Sequence, residues 1–110
     1  MTPSDYSGVE NRKRHRARLG VPVECSTIQR TIQGRAENIS ASGLLIRADS
    51  TFSSDEEFTL SFSLPGHEGK IECTARVAHV VPGIFMGIEF LDLSYKTVHL
   101  IEDFVTKSSS

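Results

Sequence analysis

The segment EFTLSFSL, residues 57–64, places Phe58, Leu60, Phe62 and Leu64 at every second position, with Thr59, Ser61 and Ser63 between them. Side chains on an extended strand alternate between two faces, so this octet forms one apolar face and one polar face only as a β-strand. The apolar face then needs partners to cover it. The same period recurs along the chain. Val21, Val23 and Cys25 alternate with Pro22, Glu24 and Ser26. Ile71, Cys73, Ala75, Val77, His79 and Val81 are expected to face inward, and Lys70, Glu72, Thr74 and Arg76 outward. Further strands are expected over 34–39, over GLLIRA (43–48) and over IFMGIEF (84–90), with turns at Pro65-Gly66 and Pro82-Gly83. Six short strands separated by turn signals predict a mainly β domain, a closed or nearly closed six-stranded antiparallel barrel. Closure removes the exposed edges that such strands otherwise leave.

The chain ends differently. From Ser94, a candidate N-cap, Val98, Ile101, Phe104 and Val105 fall at helical spacing, and Leu100 widens the apolar stripe. A C-terminal α-helix of about three turns is expected to cover the barrel, with TKSSS fraying behind it. Residues 1–20 lack hydrophobic periodicity and are read as a flexible basic arm. At 110 residues the chain has room for one core.

Several functions are disfavoured at this point. No run approaches the roughly 20 apolar residues of a membrane-spanning helix. MTPSDYSGVENR lacks the apolar centre of a secretory signal. Both favour a cytoplasmic protein without membrane insertion. Cys25 and Cys73 stand alone, each in a strand, and read as buried thiols. The four histidines show no metal-ligand spacing, and no nucleophile, base and acid are grouped. Neither an enzyme, a metal site nor a cofactor is expected.

Charge is the uneven property. Residues 12–18, RKRHRAR, hold five of the 12 basic residues; the other 7 face all 14 acidic ones, leaving the body at −7. A second polar signal, NISASG, spans 38–43 at the end of the second strand. Asn38 and Ser40 project to one side there, while Ile39 points to the core. Asn brings two donors and an acceptor, and Ser one hydroxyl. Gly43 either takes a positive φ or admits a close approach to the backbone. A polar turn bonding its own backbone is the alternative use of the same residues.

Taken together and in this order, Arg14-His15-Arg16-Ala17-Arg18 and the later NxSxxG resemble the PilZ domain family. Its hallmark is RxxxR in an N-terminal loop and [DN]xSxxG on the adjacent barrel surface. GIEFLDLS before an amphipathic helix resembles the usual PilZ ending. The resemblance implies a single PilZ domain over 10–107 that binds cyclic di-GMP (c-di-GMP) and does no chemistry on it. By motif position Arg14 and Arg18 are the loop arginines, and Asn38, Ser40 and Gly43 the barrel-side positions. Asn replaces Asp at 38, which keeps an acceptor and loses a charge. Lys13 occupies a place often basic in the family and associated with a stacked ligand dimer, so both one molecule and two stay open. Arg12 and Arg16 form a second RxxxR, expected to add electrostatic attraction. The resemblance also implies an adaptor: the ligand folds the arm onto the barrel and changes the surface offered to an unidentified downstream protein.

Two other readings compete. A PilZ-like protein-protein interaction module need not bind nucleotide, but this chain retains all five motif positions. A small barrel binding RNA or single-stranded DNA stacks bases on exposed aromatics, whereas most aromatics here lie on or near expected core faces and the body is acidic. No nucleic-acid polymer is therefore expected as partner.

Overall fold

The computed structural model describes residues 16–108. Its elements are β1 (Ala17–Ser26), β2 (Thr31–Ile39), β3 (Gly43–Arg47), β4 (Glu57–Phe62), β5 (Ile71–Val81), β6 (Phe85–Phe90) and α1 (Tyr95–Ser108). The strands close into a barrel in the order β1-β2-β3-β6-β5-β4, each pair antiparallel. The mainly β, closed antiparallel barrel with one C-terminal helix is the architecture that the alternating pattern requires.

The interior is built by that alternation. Phe58, Leu60, Phe62 and Leu64 are all buried, as are Val23, Cys25, Ile71, Cys73, Ala75 and Val77. Burial of this kind stabilises by about 25 cal/mol per Å² of apolar surface removed from water. Ser94 caps α1: its hydroxyl accepts the Thr97 N–H at 3.1 Å. Ile101 and Val105 are the helix's buried residues, and the helix lies against β1.

Three departures from simple alternation shape the molecule. β1 begins at Ala17, inside the stretch read as an arm over 1–20; the remainder of that stretch, 1–15, lies outside the described residues. Ala17 is buried, but a bulge follows, in which Leu19 and Gly20 together oppose Glu37. Gly20 takes φ +69° there, a conformation that costs glycine little. In β2 the register shifts at Glu37, so Ala36 and Ile39 both point into the core although three positions apart. In β5, Ala78 is the extra residue between the pairs Val77↔Ile88 and His79↔Gly87. His79 and Val81 are consequently exposed, and Val80 packs on the core instead. The expectation that His79 and Val81 face inward fails because one inserted residue reverses the parity beyond it.

A further core residue lies outside any strand. Phe52, 1 % exposed, comes from the loop between β3 and β4. It packs against Phe58, with ring centroids 5.1 Å apart. The Arg30 guanidinium sits 5.0 Å over its ring and donates to the Thr51 carbonyl, closing the barrel end where β1 meets β2.

Candidate ligand-binding site

At the opposite end of the barrel the start of β1, the end of β2, the start of β3 and the end of β6 come together. Arg18 and Asn38 are direct partners across β1 and β2. Since their neighbours Ala17 and Ile39 are buried, both side chains lie on the outer face. Arg18 is exposed and Asn38 half-buried. Arg16, two positions before Arg18, donates from Nη1 to Asn38 Oδ1 at 2.8 Å. Arg14 and Lys13 lie outside the described residues.

The turn beyond Asn38 is held by its own polar groups. The Ser40 N–H donates to the Gly43 carbonyl at 2.9 Å. The Ser40 hydroxyl accepts the Ser42 N–H at 3.2 Å and pairs with the Ser42 hydroxyl at 3.0 Å. The Ser40 hydroxyl thus helps to build the turn. Gly43 is not among the glycines with positive φ. A Cβ on it would overlap the Ile88 carbonyl of β6, with Glu89 Cα only 3.2 Å away. Its lack of a side chain is what lets β6 approach β3.

Among the described residues two carboxylates border this surface, and each has a cation of its own. Glu89, paired with Gly43 across β3 and β6, receives Arg76 Nη2 at 2.7 Å. That hydrogen bond, and then the Glu89 charge, push the Arg76 pKa upward. Glu37, at the β2 bulge, lies 3.6 Å from Arg47 Nε. Among the described residues Arg16 and Arg18 have no carboxylate partner. The face is thus locally positive on an otherwise acidic barrel, and low screening within a Debye length of about 8–10 Å makes that local sign the one an approaching anion meets.

Sequence reasoning gave Arg16 only an added electrostatic attraction, whereas its guanidinium bonds Asn38 directly. Its signal was present: Arg16-Ala17-Arg18 alternates exposed, buried, exposed once the strand is known to start at Ala17. Among the described residues no group of three or more His, Cys, Asp or Glu is placed to hold a metal, and no helix is long and apolar enough to cross a membrane.

Residues 10–107 match the PilZ domain family. The chain belongs to that family. Among solved structures, the PilZ fold of this chain is similar to the Bacillus subtilis inhibitor of motility, MotI/DgrA, with a TM-score of 0.75 at 22 % identity. That match covers 86 % of this chain and 48 % of MotI/DgrA, so this chain spans about half of that protein. It is similar also to the PilZ domain of Escherichia coli YcgR, a structure solved with c-di-GMP, with a TM-score of 0.70 at 10 % identity. There the match covers 86 % of this chain and 88 % of the other. At these identities the likeness is one of fold. Among curated proteins none matches the sequence.

Proposed function

We propose that this PilZ domain is a c-di-GMP receptor that acts as an adaptor and not as an enzyme. The observation that carries the reading is the Arg18–Asn38 pair on the outer face, with Arg16 bonded to Asn38 and both bordering carboxylates neutralised by other arginines. The ligand offers two phosphates and two guanines. A guanidinium fork matches phosphate oxygens and also the O6/N7 edge of guanine. Arg16 occupies the Asn38 carbonyl and leaves the amide NH2 available as a donor for either acceptor. Arg14 completes RxxxR with Arg18, and Lys13 favours a second, stacked ligand molecule. Ser40 and Gly43 set the turn that aims Asn38.

Binding then draws the basic segment 12–15 onto the barrel and alters the surface presented to a downstream protein, in the cytoplasm and without a membrane or a nucleic-acid polymer. Ordering each residue costs roughly 1–2 kcal/mol, so several charge-assisted contacts must form together. Loss of one bidentate arginine removes on the order of 1–3 kcal/mol, about tenfold in affinity or more.

The test is calorimetric titration of c-di-GMP into the protein and into Arg18→Ala, with GTP as control. Expected are binding of c-di-GMP and not GTP, loss in the variant, and a stoichiometry that separates one molecule from a stacked dimer. No heat at high micromolar ligand overturns the receptor reading in favour of an interaction module.

A further inference from the structure

Beyond the motif positions, one arginine on the same outer face lacks a polar partner among the described residues. Arg35 of β2 is exposed and stands directly opposite Arg47 of β3, two like charges across a ladder, an arrangement that destabilises a sheet. Glu37 engages Arg47, whereas the Arg35 side chain has no ion pair or hydrogen bond among the described residues. Its path is specific. The Arg35 backbone opposes Pro22, yet Arg35 Nη2 lies 3.4 Å from where a Cβ on Gly20 would stand. The side chain therefore runs diagonally towards the Arg18 end of β1, across the flat backbone that the Gly20 bulge leaves. A bulge often re-aims side chains in this way beside a site.

We propose that Arg35 is a further ligand-binding residue and contacts a phosphate oxygen of the bound cyclic dinucleotide; this rests on the receptor reading above. Arg16, Arg18 and Arg35 then form a row of guanidinium groups on one face, with Gly20 as the gap that lets Arg35 reach it. A doubly charged ligand seated on Arg18 and Asn38 extends along this row, since the neighbouring arginines Arg47 and Arg76 are already engaged by Glu37 and Glu89. The contact is electrostatic before it is geometric, so a lysine keeps most of it.

The experiment is titration of c-di-GMP into the full chain and into Arg35→Ala, Arg35→Lys and Lys107→Ala, each at low and moderate salt. The wild type and Arg18→Ala establish first whether the receptor reading stands. Given that, Arg35→Ala is expected to bind about tenfold more weakly, with a shallower decline of affinity with salt. Arg35→Lys is expected to recover most of the loss, and Lys107→Ala, which removes an exposed cation paired with Asp103 on α1, to bind as wild type does. Wild-type affinity and salt dependence in Arg35→Ala would overturn the proposal while leaving the receptor reading intact. Equal losses in the alanine and lysine variants would overturn the phosphate assignment. Thermal midpoints of all five proteins, read without ligand, separate binding losses from unfolding.

Discussion

Gly43→Ala is expected to unfold the barrel far more readily than its conservative appearance indicates. The added Cβ meets backbone and not a movable side chain: the Ile88 carbonyl lies in its place, and Glu89 Cα is 3.2 Å off. Relief requires β3 and β6 to separate where Gly43 pairs with Glu89. Overpacking of this kind costs about 1–3 kcal/mol. The separation also weakens the bond from the Phe90 N–H to the Ser42 carbonyl, 2.9 Å long, and such a bond contributes about 0.5–1.5 kcal/mol. Against these stands about 0.4–1 kcal/mol gained from a stiffer unfolded chain. The balance is a loss of about 2–3 kcal/mol, or on the order of 10–20 °C in midpoint for a domain of this size. The chain has no Trp, so urea and thermal unfolding are followed by far-ultraviolet circular dichroism. Ser40→Ala is the companion variant, since its exposed hydroxyl bonds Ser42 alone among the described residues; a loss under about 1 kcal/mol is expected. An unchanged midpoint in Gly43→Ala would refute the packing account and return the glycine to a role in admitting ligand.

Other outcomes follow from the same structure. Phe52→Ala, which empties the ring site between Phe58 and the Arg30 guanidinium, is expected to cost about 3–5 kcal/mol in urea unfolding; a loss below about 1 kcal/mol would show that the loop does not close the barrel. Ser94→Ala removes the cap on Thr97 and is expected to cost about 1 kcal/mol, with faster amide exchange confined to the first turn of α1. Burial pushes the Cys25 thiol up to about 12 and the Cys73 thiol to about 11 from an ordinary 9.0, with Glu24 and Asp92 adding to the respective shifts. Both should resist thiol reagents at neutral pH in the folded protein and react on denaturation. Because the unfolded thiols lose protons first, their contribution leaves stability unchanged below pH 9 and lowers it as pH rises from 9 towards 12.

The barrel was legible because three of its strands carry clear runs of alternating residues, and because Pro-Gly pairs punctuate the chain. What escaped was each place where one residue changes parity. A bulge at Ala78 leaves no mark in residue type, so the inward reading of His79 and Val81 ran on past the point where the backbone had turned. Phe52 escaped for the opposite reason: an isolated aromatic in a polar loop has no period to belong to, and only the closed barrel reveals the end it fills. The start of β1 was hidden by charge. Arg16 and Arg18 made the segment read as an arm, though Ala17 between them is buried. The spacing RxxxR directed attention to Arg14, which lies outside the described residues, whereas the bond to Asn38 comes from Arg16.

The NxSxxG segment also divides physically in a way its spelling conceals. Ser40 and Gly43 spend their chemistry on the turn and on the approach of β6. Asn38 alone of the three faces an arginine across the strands. Substitutions in one short motif should therefore separate by signature. Gly43→Ala is expected to lower stability first and affinity only as a consequence, so ligand at saturating concentration restores much of its midpoint by mass action. Asn38→Ala is expected to lower affinity while lowering ligand-free stability by less than about 0.5 kcal/mol, as substitutions on the outer surface do. The Arg16 contact it removes is an exposed hydrogen bond with little to lose to water. Parallel titration and unfolding of the two variants decide the matter: identical profiles would mean that the segment acts as one unit, and the division drawn from the geometry would fall.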